Sequence, residues 1–179
     1  MKIAKKLVLI IISALLITTL AGCTGKESAN MDIELSKILE AVKAELGEHY
    51  YPDRDMELSE VKDLTGLSDE SIEEFIAQAP MMSVGVDTFI AIKATKGNGD
   101  IVAEGLEKYR TYLVEESLQY PMNLPKVNAA KVIQHEDYVF FVMLGGFDNS
   151  IEDVESDEAR EFAEGEVARV EDAINELFK

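Results

Sequence analysis

The sequence predicts an α+β domain: a small antiparallel sheet of about three strands with helices packed on one face, in the order α-α-β-α-β-β-α. Three observations predict it. Val84, Val86, Thr88, Ile90, Ile92 and Ala94 alternate with period two, as a strand does. Tyr138 to Leu144 is a nearly unbroken apolar run whose length and aromatic content suit a central strand. Around these segments, apolar residues recur at helical spacing.

In chain order, Ile33, Leu35, Ile38, Leu39, Val42 and Leu46 form a first helical stripe, with Asn30 or Asp32 as its cap and Gly47 as its end. Residues 48–67 carry His49, Tyr50, Tyr51, Pro52 and scattered acids, and read as mostly loop with a short turn. A second helix opens at Leu67-Ser68-Asp69, carries Ile72, Phe75 and Ile76, and stops at Pro80. The alternating strand follows. Gly97-Asn98-Gly99 is a turn and Asp100 a good N-cap for a helix bearing Val102, Leu106, Tyr109 and Leu113, ended by Pro121 and Pro125. Residues 128–134 form the next strand, Glu136-Asp137 a tight turn, and 138–144 the last strand, broken by Gly145-Gly146. From Ile151 or Ser156 onward, Phe162, Val167, Val170, Ile174 and Leu177 make a final amphipathic helix.

Composition narrows the function classes. The chain has 179 residues, 47% of them hydrophobic, and a formal net charge of -18. That is a globular composition, and its charge argues against binding nucleic acid through phosphate neutralisation. One Cys makes neither an internal disulfide nor a Cys-rich zinc site.

Residues 1–22 read as a targeting segment. Lys2, Lys5 and Lys6 give a basic start, and Leu7 to Leu20 is apolar but short for a membrane span, which needs about 20 such residues. Leu20-Ala21-Gly22-Cys23 resembles the bacterial lipobox. That resemblance implies cleavage between Gly22 and Cys23 and a lipid on Cys23, which would hold the protein on the extracytoplasmic face of the cell membrane. Residues 23–31 are then a small, polar tether, and 32–179 a single domain.

A second resemblance lies in the body. Ala79-Pro80-Met81-Met82-Ser83-Val84 runs into Ile90-Ala91-Ile92-Lys93-Ala94, a helix with Tyr109-Arg110 follows, and a hairpin ends in Tyr138-Val139-Phe140-Phe141-Val142-Met143. This looks like the family called domain of unknown function 4358, found as lipoproteins mainly in Firmicutes. The resemblance covers roughly residues 33–145. Its members usually have a Gly-Asn-like turn where this chain has Glu136-Asp137, and the long acidic C-terminal helix falls outside the comparison. It implies an address and a fold, and supplies no catalytic residues.

The candidate site residues each have a plainer reading beside them. Asp53, Asp55 and Glu57 alternate like a calcium loop, but Leu58 and Leu64 stand where Gly and Glu are required. Asp148, Ser150, Glu152 and Asp153 could gather a cation, but read more plainly as a solvated helix start with Ser150 as N-cap. His49 and His135 share no metal-ligand spacing, and Ser83 sits in no nucleophile motif. Gly97-Asn98-Gly99 lacks the Lys-Ser/Thr of a phosphate loop. Met81 and Met82 read as gap-filling core, or else as a metal or ligand lip. Arg110 reads as one half of a structural salt bridge, or else as the receiver of an anionic ligand.

Together these features predict a membrane-anchored extracytoplasmic lipoprotein acting as a non-enzymatic binding or interaction module. No metal and no cofactor are expected, and the partner would be an envelope protein or a small ligand. The alternatives are a cell-envelope enzyme using paired carboxylates, or a structural envelope lipoprotein.

Overall fold

The computed structural model describes residues 32–179. The targeting segment, Gly22, Cys23, the tether and the Asn30 cap lie outside the described residues. Five helices are described: α1 (Leu35–Leu46), α2 (Leu58–Thr65), α3 (Gly99–Glu115), α4 (Leu124–Ala129) and α5 (Asp157–Glu176). Five strands are described: β1 (Arg54–Asp55), β2 (Ile72–Ala79), β3 (Thr88–Ala94), β4 (Lys131–His135) and β5 (Tyr138–Met143). They form one sheet in the order β1-β2-β3-β5-β4, and every neighbouring pair is antiparallel.

The α+β class holds, but the expected sheet of about three strands has five. The largest correction is β2, read from sequence as a helix. Its pairing with β3 contains a bulge between Ile72 and Glu74. The extra residue shifts the alternation, so that Ile72 and Phe75 pack on the same side of the sheet while Ile76 packs on the other. Ile72, Phe75 and Ile76 thereby acquire the i, i+3, i+4 spacing of a helix.

Residues 48–67 are not mostly loop. They hold the two-residue β1 and the eight-residue α2. Glu57 and Glu60 form a reciprocal capping box at the start of α2, and Gly66 ends it in the left-handed region at φ 71°. Pro121 and Pro125 do not end α3, which stops at Glu115. Pro121 opens a turn of 3-10 helix, and Pro125 lies in the first turn of α4, where its missing N–H costs nothing. The remaining caps also shift. Glu34 takes the N-cap position of α1, Asn98 that of α3, and Ser156 that of α5. Ser150 instead donates its hydroxyl to Asp148.

Helices cover both faces of the sheet rather than one. Leu35, Ile38, Val42 and Leu46 of α1 and Val167, Val170 and Ile174 of α5 pack on Phe89, Ala91, Phe140 and Val142. On the opposite face, Val61 of α2, Val102, Leu106 and Tyr109 of α3 and Val127 of α4 pack on Ile90, Ile92, Val139 and Phe141. Every residue of β5 is buried, as a central strand between two helical layers must be.

The sheet has two distinct ends. At the hairpin end, β4 turns into β5, α3 begins and Ile33 donates its N–H to the Tyr138 hydroxyl at 3.1 Å. Here Gly97 and Gly99 donate their N–H groups to the Asp137 carboxylate at 3.0 and 3.3 Å. At the opposite end lie the connections 80–87, 116–123 and 144–156. Among the described residues no helix is long and apolar enough to cross a membrane.

Candidate functional site

The end of the sheet opposite the hairpin is organised around a buried ion pair. Asp87 precedes β3 and Lys126 lies in α4, and both side chains are 4% exposed. Lys126 Nζ donates to Asp87 Oδ1 at 2.7 Å and to the Gly145 carbonyl at 2.8 Å. The same ammonium stands 3.8 Å from the centroid of the Phe147 ring. Burial pushes the Asp87 carboxyl up and the Lys126 ammonium down, while their mutual attraction opposes both shifts.

A second charged group closes the same crossing from the other layer. Glu166 of α5 accepts the Gly146 N–H at 2.7 Å and an Arg169 N–H at 2.6 Å. Burial alone would raise the Glu166 carboxyl. The Gly146 N–H, the Arg169 guanidinium and the nearby His49 together hold it below its usual value. Arg169 also reaches the Glu45 carbonyl at 2.8 Å, which joins α5 to α1. The approach requires glycine at 145, where φ is +135° and a Cβ would stand 2.5 Å from Glu166 Cβ.

Around this polar knot the surface is apolar. Met81 and Met82 are 71% and 69% exposed, and Leu118 is fully exposed. Tyr51, Leu64, Val84, Tyr120, Met122 and Phe147 add exposed apolar surface at the same end. Three clefts run through it, joined by shared walls. The first, about 560 Å³, has Leu64, Met82 and Leu118 in its lining. The second, about 320 Å³, shares Met82 and adds Val84, Met122 and Phe147. The third, about 370 Å³, shares Met122 and Phe147 and runs over Lys126 to Ile151, Val154 and Phe162.

The expected site residues divide between this end and the rest of the molecule. Met81 and Met82 do not fill core gaps. They stand in the exposed β2–β3 connection, because the strand begins only at Thr88, and Met82 borders two of the clefts. Arg110 pairs with Glu107 at 2.6 Å on α3 and lines none of the three clefts. His49 lies beside Glu166 at 3.5 Å, whereas His135 stacks on Phe178 at the hairpin end, so the two histidines do not meet. Asp53 and Asp55 hold the chain by accepting from the Met81 N–H and from Gln78. Among the described residues no cluster of His, Cys, Asp and Glu is arranged to hold a metal ion.

Sequence reasoning missed Asp87, Lys126 and Glu166, and missed Leu118, Met122 and Phe147 as surface. The Gly145-Gly146 step was the one legible signal. Two adjacent glycines straight after a buried strand mark a close approach as well as a break.

Comparison with known proteins adds a family. The model described as Domain of unknown function (DUF4358) matches residues 47–144, more than half of the chain. No curated protein and no solved structure matches the chain significantly. The matched segment contains all five strands with α2, α3 and α4, while α1 and α5 flank it.

Proposed function

The chain belongs to the family described as Domain of unknown function (DUF4358), and from that premise we propose that it is a lipid-anchored, extracytoplasmic binding module that engages a partner through its apolar end. One observation carries the proposal. The exposed apolar side chains concentrate at the end of the sheet opposite the β4–β5 hairpin. A contiguous apolar surface of this kind is kept in water for something that covers it. What supports the anchor is the sequence alone: the basic start, the short apolar run, and Leu20-Ala21-Gly22-Cys23.

The carboxylate-enzyme alternative requires two acids with opposite shifts converging on open space. Asp87 and Glu166 do shift in opposite directions. Both are engaged by cations and by backbone groups of the Gly145-Gly146 crossing, which makes them structural.

The test is site-specific photocrosslinking in the native cells. A benzoylphenylalanine replaces Met82 in one strain and Lys96, exposed at the hairpin end, in another. A discrete adduct from Met82 and none from Lys96 is expected. Equal adducts from both positions, or none from Met82, would reject the apolar end as the binding surface. Cys23→Ala should release the protein from membranes or leave it uncut, and normal processing with full retention would reject the anchor.

A further inference from the structure

We infer that the partner of the apolar end is a basic amphipathic polypeptide segment, one that sets apolar side chains into the three clefts and Lys or Arg side chains beside them. This rests on the reading of that end as a binding surface and adds the chemistry of what binds there.

The observation behind it is a repeated pairing. Once Glu60, taken by Arg54, and Asp87, taken by Lys126, are set aside, each cleft carries one exposed carboxylate in its lining: Asp63 in the cleft of Leu64 and Leu118, Asp53 in that of Met82 and Val84, and Asp148 in that of Phe147 and Phe162. Among the described residues none of these three forms a salt bridge with a cation. The cations that line the clefts are already engaged. Arg54 feels Asp53 but is held by Glu60 through bonds of 3.1 and 3.0 Å, and Lys126 is buried against Asp87.

Two of the three carboxylates are fixed in place. Asp53 accepts the Met81 N–H at 2.5 Å, and Asp148 accepts the Ser150 N–H at 2.8 Å. Hydrogen bonds from the Ser150 hydroxyl and N–H hold the Asp148 carboxyl below its usual range, so it is ionised at neutral pH. An apolar cleft with a fixed negative charge at its edge attracts a side-chain pair of matching character and repels an acidic one. The same charge, on a chain of net -18, opposes an anionic lipid surface as the occupant. At about 560, 320 and 370 Å³, each cleft accepts a large aliphatic or aromatic side chain. Their shared walls make a continuous track for one segment.

The test uses the full chain in nanodiscs of zwitterionic lipid, with empty nanodiscs as the blank. Three fluorescent 15-residue peptides are titrated by anisotropy: an amphipathic Lys/Leu peptide, a Glu/Leu peptide with the same apolar positions, and a Lys/Ser peptide. The Lys/Leu peptide should bind at least 10-fold more tightly than either control, and should weaken as salt is raised from 50 to 500 mM. The triple variant Asp53→Asn, Asp63→Asn, Asp148→Asn should weaken it about 10-fold at an unchanged melting temperature. Met82→Ser with Leu118→Ser should weaken it likewise. Equal binding of the Glu/Leu peptide would overturn the assignment of charge and leave the binding end standing. Equal binding of the Lys/Ser peptide would overturn the role of the clefts. Absence of binding by all three would also overturn the inference, and the binding end would then be judged by the Met82 crosslink alone. The comparison among peptides needs only the unmodified protein, so a variant that fails to fold does not blunt it.

Discussion

Replacing Lys126 by Met tests whether the buried pair holds the apolar end together. Met fills nearly the same volume and removes the charge. Asp87, 4% exposed at its side chain, is then left without its cation, and the Gly145 carbonyl loses its donor. Breaking one side of a buried ion pair costs about 3–5 kcal/mol. A domain of this kind has about 5–15 kcal/mol in total. With a urea dependence of roughly 2 kcal/mol per molar, the unfolding midpoint should fall by roughly 2 M. The chain has no Trp, so unfolding is followed by far-UV circular dichroism. Changing both partners, Lys126→Met with Asp87→Leu, removes the orphaned charge and should recover part of the loss, leaving about 1–3 kcal/mol for the Gly145 carbonyl and the backbone N–H groups that lose their partners. Amide exchange in 80–87 and 145–147 should rise more in the single variant than in the double one. A loss below about 1 kcal/mol for Lys126→Met, or no recovery in the double variant, would refute the reasoning.

Four further outcomes follow from the same geometry. Gly99→Ala would set a Cβ 2.1 Å from the Glu136 carbonyl oxygen. It should cost about 2–3 kcal/mol in thermal unfolding, and a neutral result would mean that α3 shifts freely. Glu136→Gly relieves a residue held at φ 54° and should raise stability by about 0.5 kcal/mol after its own entropy cost, with a lower melting point as the contrary result. Glu166 has a folded-state pKa below its unfolded one. Its contribution is therefore complete above the ordinary carboxyl value of about 4.3 and is lost as pH falls through the depressed value. Glu166→Gln should give a lower but flatter acid limb, and an unchanged slope between pH 5 and 2 would contradict this. Deleting 151–179 uncovers Phe140 and Val142 and should abolish cooperative melting, whereas a truncation with the parental melting point would show α5 to be dispensable.

How much of this was legible in the sequence depends on how many layers acted on each residue. α1 and α3 were readable because each buries a single stripe, and β5 because seven apolar residues in a row admit few other placements. The full burial of β5 already required cover on both faces of the sheet, an implication that a one-sided packing leaves unmet. β2 was lost to its bulge, which copied helical spacing at Ile72, Phe75 and Ile76. α2 was lost because it buries only Val61 and Thr65, and because its cap is a Glu instead of Ser, Thr or Asp. The site was less legible still. Asp87 and Lys126 are 39 residues apart, and no local pattern marks a charge whose partner comes from another element. Met81 and Met82 look like core by composition and become surface because the chain turns there before β3 begins.

The apolar end is built from both sides of the family boundary. Asp87 and Lys126 lie inside the matched segment, as do Met82, Leu118 and Met122. Gly145, Gly146, Phe147 and Glu166 lie beyond it, yet Gly145 caps the ion pair and Glu166 fixes the next peptide group. The two flanking helices pack on one sheet face and meet each other through Arg169 and Glu45. A loop held at one point by Lys126 and at the next by Glu166 cannot move without disturbing a buried charge on one face or the other. The flanking helices therefore do more than cover the sheet. Through Glu166 they set the position of Phe147, which walls two of the three clefts, so the shape of the apolar end is decided partly by elements outside the matched segment.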